Sequence, residues 1–335
     1  ATDGTEAVSA SIAEYTEGKG YEIVSEQQGD ILDEQATCEA IEKAVASLKE
    51  SVDLSKEKAY KKPEFTSESD VLKDAVETLN RYVGTKITYR FGDDTVVLDG
   101  TRINKWIKIK KDNTVKIRRN KVEKFVQELH RKYDTVFTNR KFKTAYGDTV
   151  TVYGGDYGWW MNYQQEAKEL AAQIETGESG ERTPVYYQTA ASYGAPDYGD
   201  TYVEINLTAQ HLFFYKDGQL VMESDFVSGN SARGYDTPEG TYSITYKQRN
   251  ATLVGENYET PVSYWMPFNK NIGMHDATWR SSFGGTIYKT KGSHGCINMP
   301  YEKAQELYGY IEKGTPVICY HLAGTERSTE SELEK

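Results

Sequence analysis

The chain has 335 residues, a formal net charge of −11, 12% aromatic residues and 28 glycines. This length fits two or three domains, each able to bury a hydrophobic core without disulfides, and the many glycines favour turns and a substantial β component. The acidic balance argues against a basic face, so we expect no nucleic-acid partner.

Residues 1–64 carry signals of both helix and strand. Residues 20–24 alternate like a strand, and Asp33 is placed to cap a helix with an apolar stripe through Ile41 and Leu48. We therefore predict a partial α/β unit here.

Residues 65–195 continue the mixed pattern and are predicted to form a second α+β domain. Asn162, with Gln165 three residues further on, is a helix start signal, and Gly177 marks the end of that helix. The other predicted elements of this region are a helix from about residue 67, strands at 87–91, 95–98 and 106–109, a helix at 121–133 and a strand at 149–152.

Beyond a linker at residues 193–200, rich in turn-forming residues, the pattern is mostly β. We predict a third domain over residues 200–322 and a flexible tail over 323–335. Its predicted elements are strands at 202–207, 211–215, 219–222, 241–246 and 316–320, and a helix at about 301–312.

The three cysteines, Cys38, Cys296 and Cys319, lie far apart and form no C-x-x-C pair, so a structural zinc site has no support. A bridge between Cys38 and Cys319 is possible by arithmetic alone. Cys319 lies in an apolar run that is typical of a buried strand, and a core position is the better interpretation. We predict no metal and no cofactor.

The chemistry is concentrated in one stretch, Gly292-Ser293-His294-Gly295-Cys296-Ile297-Asn298, with Gly273-Met274-His275-Asp276 upstream. A thiol beside histidines and a serine offers a nucleophile, a base and a group to orient the base, which is what Cys/His acyl transfer requires.

Residues 200–322 resemble the YkuD-type L,D-transpeptidase catalytic domain, whose signature is a histidine, a spacer of about 14 to 17 residues, then Ser/Thr-His-Gly-Cys. Here the signature is His275, a spacer of 17 residues and Ser293-His294-Gly295-Cys296. Residues 65–180 resemble, less specifically, the peptidoglycan-binding domain that precedes it in Gram-positive relatives. The resemblance implies a YkuD-like β-sandwich with a helix.

The resemblance also implies a secreted enzyme of the cell wall that forms 3→3 cross-links between peptidoglycan stem peptides. It would take a tetrapeptide donor, release D-Ala, hold an acyl-thioester on Cys296 and pass the acyl group to an amine acceptor; carbapenem β-lactams would inhibit it. Because the sequence begins without methionine, we expect a membrane anchor upstream of it. The alternatives are an L,D-carboxypeptidase, an enzyme that anchors proteins to the wall, and a catalytically idle wall-binding protein.

The resemblance assigns His275 as the base that holds Cys296 as a thiolate, with Ser293 orienting His275. Asp276 should point elsewhere if it lies on a strand. The backbone N–H groups of His294, Gly295 and Cys296 are candidates for an oxyanion hole, and Asn298 is expected to pin the loop. The residues expected to bind substrate are Trp279, Tyr288, Trp265, Gly273 and Met274.

Overall fold

The computed structural model describes residues 4–255 and 258–327. Of the predicted tail, residues 328–335 lie outside the described residues. The α-helices of the described part are α1 (Glu34–Ala46), α2 (Asp70–Val83), α3 (Gly100–Ile103), α4 (Arg119–Tyr133), α5 (Tyr163–Thr176), α6 (Tyr288–Lys291) and α7 (Tyr301–Tyr310).

The strands of residues 1–199 are short. They are β1 (Ser11–Ile12), β2 (Ile23–Val24), β3 (Ile87–Phe91), β4 (Asp94–Leu98), β5 (Ile107–Ile109), β6 (Val115–Ile117), β7 (Arg140–Lys143), β8 (Thr149–Val152), β9 (Trp160–Met161), β10 (Gly180–Arg182) and β11 (Tyr186–Gln188). The later strands are β12 (Tyr202–Asn206), β13 (His211–Lys216), β14 (Gln219–Asp225), β15 (Gly240–Ser243), β16 (Gln248–Gly255), β17 (Tyr258–Asn269), β18 (Ile272–Asp276), β19 (Ile297–Met299) and β20 (Pro316–Tyr320).

One compact unit comprises residues 1–128 and 162–185. Its three-stranded sheet has the order β10-β3-β4, with β10 parallel and β4 antiparallel to β3. Inside it the buried carboxylate of Glu166 accepts hydrogen bonds from Tyr89 at 2.5 Å and from Arg182 at 2.7 Å. These partners satisfy a charge that would otherwise be costly to bury.

The second compact unit comprises residues 129–161 and 186–335, and it holds two larger sheets. A five-stranded sheet has the order β14-β13-β12-β20-β15, and a four-stranded sheet has the order β16-β17-β18-β19. Their facing side chains, among them Phe214 and Val317 of the first and Met266 and Ile297 of the second, form one core with Leu307 of α7. The predicted fold class, α+β followed by a mostly-β sandwich with a helix, is confirmed; the predicted domain boundaries stay predictions.

The helix caps follow the sequence signals closely. The side chain of Asp33 accepts a hydrogen bond from the N–H of Ala36, and that of Asn162 accepts one from the N–H of Gln165. Gly177 ends α5 in the left-handed conformation, with φ of 80°, which a glycine adopts without a Cβ penalty.

All three cysteines are free, so the bridge between Cys38 and Cys319 does not form. Cys319 is fully buried in β20, as predicted. In the part of the chain that the structure describes, no helix combines the length and the apolar character needed to cross a membrane.

Glu204 in β12 is a buried carboxyl group that should make stability depend on pH. One oxygen accepts hydrogen bonds from the Tyr320 hydroxyl at 2.5 Å and the Ala145 N–H at 2.9 Å, and the other has no hydrogen-bond partner among the described residues. Burial raises the pKa of Glu204 above its usual range. The native state therefore holds this proton more tightly than the unfolded state does. The free energy of unfolding falls by about 1.4 kcal/mol for each pH unit between the pKa of Glu204 in the unfolded state and its higher pKa in the folded state.

We expect Glu204→Gln to reduce this loss of stability with rising pH. The free energy of unfolding, measured in urea between pH 4 and pH 8, should fall less with pH in the variant than in the wild type. Glu302→Gln, at an exposed position of α7, is the matched control and should leave the slope unchanged. Equal slopes for wild type and Glu204→Gln would contradict the prediction.

Candidate active site

The two halves of the motif meet because β18 and β19 are parallel neighbours. Their register pairs His275 with Asn298, and both side chains are buried. Parallel strands need a crossover, and the chain between residues 277 and 296 provides it. The end of that crossover carries Cys296 to the same end of the sheet as His275.

The hydrogen bonds of His275 define its tautomer. Nδ1 lies 2.8 Å from the backbone carbonyl of Asp276, which can only accept, so Nδ1 carries the proton. Nε2 is then the acceptor, and Nδ2 of Asn298 lies 3.0 Å from it. The Asp276 carboxylate accepts from the N–H groups of Ser263 and Tyr264, which confirms that it points away from the imidazole.

Cys296 is partly exposed beside the same cleft. Its sulfur lies 3.6 Å from the backbone carbonyl of Asn271, packs beside Trp265, and receives a hydrogen bond from the backbone of Gly273. Burial raises the pKa of the thiol to about 11 and lowers the pKa of His275. Desolvation therefore favours the neutral form of both groups, and the thiolate at Cys296 stays a prediction.

Ser293 does not contact His275. Its hydroxyl donates to the Cys296 carbonyl at 2.6 Å and accepts from the Gly295 N–H at 3.0 Å. The expectation that Ser293 orients the imidazole is corrected: the Asp276 carbonyl takes that position, and Ser293 closes the turn that presents the thiol.

A second loop supports this turn from behind. The hydroxyl of Thr237 donates to the Gly295 carbonyl at 2.7 Å and accepts from the Gly229 N–H at 3.1 Å. Gly295 has φ of 119°, a conformation that a side chain would strain. His294 packs against Tyr235, with ring centroids 4.8 Å apart. The role of Thr237 depends on a contact with a residue 58 positions further along the chain, which local sequence patterns do not predict.

We expect Thr237→Val to destabilise the fold by about 1–3 kcal/mol, because the buried N–H and carbonyl groups lose their partner while the side-chain shape is kept. Turnover should fall as well, since the turn that holds Cys296 is loosened. Urea unfolding and initial rates measure the two effects. Thr237→Ser retains the hydroxyl and is the control. If Thr237→Val and Thr237→Ser were equally stable, this role of the Thr237 hydroxyl would be refuted.

A cleft of about 240 Å³ joins these groups, and its walls include His275, Trp279, His294, Cys296 and Asn298. Trp279 is 52% exposed, and its ring centroid lies 5.9 Å from that of His275. An exposed indole beside the imidazole is suited to contact a substrate.

The other residues expected to bind substrate have different positions. Trp265 is buried, with its ring centroid 5.8 Å from His275, so it supports the imidazole. Met274 is fully buried in the core between the sheets, because its side chain points to the opposite face from His275, and it cannot contact substrate. Tyr288 lies in α6 and does not line the cleft, and Gly273 contributes its backbone to Cys296. Arg280, which the sequence analysis did not single out, does line the cleft.

Within the described residues, no group of three or more His, Cys, Asp or Glu side chains is arranged to hold a metal ion. The chemistry that the cleft offers is that of a thiol, an imidazole and backbone donors.

Comparisons with known proteins agree with this geometry. Residues 200–319 match the family model of the L,D-transpeptidase catalytic domain, and residues 65–182 match the model described as "Putative peptidoglycan binding domain". No curated protein matches the chain.

Two solved structures are similar over most of their length. The Ldtfm–avibactam carbamoyl enzyme is 36% identical, with a TM-score of 0.59, and the match covers 74% of this chain and 98% of that one. A cysteine-to-serine mutant of the Enterococcus faecium L,D-transpeptidase is 35% identical with a TM-score of 0.59, over 74% of this chain and 100% of that one. The chain belongs to the L,D-transpeptidase family. In this L,D-transpeptidase the whole cleft lies within the matched catalytic domain, and the chain is an enzyme associated with the cell wall.

Proposed function

We propose that this L,D-transpeptidase forms 3→3 cross-links in peptidoglycan through an acyl-thioester on Cys296. The observation that carries the proposal is the cleft whose walls include both Cys296 and His275. The thiol fits the role of nucleophile and the imidazole fits the role of base, and neither role requires a cofactor.

In the first half-reaction, Sγ of Cys296 attacks the carbonyl carbon that joins the third stem residue to D-Ala. The thiol proton passes to Nε2 of His275 as the C–S bond forms and the hydrogen bond from the Asn298 NH2 group to Nε2 opens, since burial favours the neutral form of both groups beforehand. The Nδ1–H bond to the Asp276 carbonyl stabilises the imidazolium. That imidazolium then protonates the leaving amine, and D-Ala departs as the C–N bond breaks.

In the second half-reaction, the side-chain amine of another stem attacks the thioester carbonyl. His275 takes a proton from the amine and returns it to the sulfur as the C–S bond breaks, which restores both neutral groups. A peptide bond between two stems is the product.

The oxyanion formed in each step needs donors near the sulfur. Gly295 N–H already donates to Ser293, whereas Cys296 N–H donates none of the hydrogen bonds found among the described residues. The Cys296 N–H is therefore our candidate donor, a contribution of about 3 kcal/mol to catalysis. His294 and Asn298 then shape the loop.

The substrate class follows from both domains. The match of residues 65–182 to a peptidoglycan-binding family supports a polymeric wall substrate that supplies a tetrapeptide donor and an amine acceptor. The similar Ldtfm was captured as a carbamoyl enzyme with avibactam. This supports covalent modification of Cys296 by acylating inhibitors, and we propose that β-lactams of the carbapenem class are among them.

The test is incubation of the full chain with a disaccharide-tetrapeptide, followed by mass spectrometry. We expect a dimer whose mass equals two monomers less one D-Ala. Tripeptide alone would indicate an L,D-carboxypeptidase, and transfer only to an added protein amine would indicate an anchoring enzyme. Unchanged substrate would contradict the proposal and leave a wall-binding role.

A further inference from the structure

Arg280 joins two parts of the active site. Its Nε donates to Oδ1 of Asn298 at 2.9 Å, and its Nη1 donates to the backbone carbonyl of Lys291 at 2.9 Å. The side chain is half-buried on the wall of the cleft. It therefore fastens the buried amide of Asn298 to the end of α6, where the motif loop begins.

The contact with Arg280 determines which way the amide of Asn298 faces. A guanidinium carries donors only, so the Asn298 atom that meets it must be the carbonyl oxygen. The NH2 group then faces Nε2 of His275 at 3.0 Å, where it can only donate. Nε2 in turn must present its lone pair to that NH2 group, which fixes the neutral tautomer, and the amide must release this lone pair before His275 takes a proton.

We propose that Arg280 is a positioning residue that fixes the Asn298 amide with its NH2 group toward Nε2 of His275. This rests on the proposed function, in which His275 is the base. The chain of contacts runs from Arg280 through Asn298 to the imidazole, and from the imidazole to the Asp276 carbonyl. It holds the ring at both nitrogens and selects the neutral tautomer.

The orientation disfavours the protonated imidazole, because an N–H at Nε2 would meet the amide donors. If the amide turned over, its oxygen would accept that N–H and favour the charged form. The other charged and titratable groups facing His275 are Asp276 on its own strand, Arg280 on the crossover, and Cys296 and His294 on the motif loop. Strand β17 presents the uncharged ring of Trp265.

Removing Arg280 should therefore raise the pKa of His275. We expect Arg280→Met, which keeps the bulk and removes every donor, to move it upward by about one unit, a tenfold change in the acid dissociation constant. The acidic limb of the pH profile of D-Ala release should move to higher pH by the same amount. A residue that only supported the loop would lower turnover without moving this limb.

The positive charge of Arg280 also acts on His275 directly, and a double-mutant cycle separates the two effects. The Asn298→Ala background has no amide that could turn over. Adding Arg280→Met to it therefore changes the His275 pKa only by removing the positive charge. We expect a clearly smaller shift in that background than in the wild type.

The decisive readout is a titration of full-length protein labelled with ¹⁵N-histidine, followed by NMR. The chain has five histidines, and the His275 signal is the one missing in His275→Gln. This measurement does not need turnover, so it holds even if the proposed reaction fails. The positioning role would be overturned if the His275 pKa were unchanged in Arg280→Met, or if Arg280→Met shifted it equally in the wild-type and Asn298→Ala backgrounds. If the NMR shifts are as expected but no D-Ala is released, only the proposed function is overturned.

Discussion

Replacing Cys296 with alanine should reduce D-Ala release by on the order of 10⁴-fold or more, because the acyl-thioester cannot form. The same variant should give no covalent adduct when it is incubated with a carbapenem. Intact-protein mass spectrometry measures the adduct, and a coupled assay for free D-Ala measures the rate.

Cys38→Ala is the matched control, since Cys38 is also free but exposed in α1. It should keep the wild-type rate and the full adduct mass. An adduct on Cys296→Ala, or its loss from Cys38→Ala, would show that the nucleophile has been assigned to the wrong residue.

Replacing His275 with glutamine should lower the rate of Cys296 acylation at pH 7 by roughly 10²- to 10⁴-fold, the usual contribution of a positioned base. The pH profile should also change its form. Burial lowers the pKa of His275, so wild-type activity should fall only below about pH 6.5, where the imidazole becomes protonated. Without the base, the rate should follow the small thiolate fraction.

That fraction rises about tenfold per pH unit until the pH approaches the thiol pKa of about 11. The acylation rate of His275→Gln should therefore increase steadily from pH 6 to pH 9.5, while the wild-type rate reaches a plateau. Stopped-flow measurement of carbapenem acylation follows both. A variant profile that is flat over this range would mean that the thiol is ionised without His275.

Several parts of this structure could be predicted because they depend on local physics. The caps at Asp33 and Asn162 and the left-handed end of α5 at Gly177 follow from residues within four positions of one another. The strands at 87–91, 149–152 and 316–320 were predicted with the bounds that the structure shows. Asp276 pointing away from the cleft follows from the alternation of a strand.

The contacts within the site could not be predicted in the same way. Ser293 was predicted to orient His275, whereas the structure places the Asp276 backbone carbonyl against the imidazole and Ser293 in the turn before Cys296. Arg280 and Thr237 act through contacts made when distant loops return to the motif. The thiolate was predicted from residue type, whereas the desolvation that raises the pKa of the thiol depends on the packed fold.

The neutral state of Cys296 also affects how the protein withstands oxidants. The thiolate is the form that attacks peroxides and disulfides, so a raised pKa slows both reactions of Cys296 at neutral pH. In an oxidising environment a low-pKa cysteine is readily converted to sulfenic acid or a mixed disulfide. Under the proposed mechanism the sulfur is activated only during attack on a bound acyl group, so we expect Cys296 to stay reduced longer between turnovers than a low-pKa cysteine would.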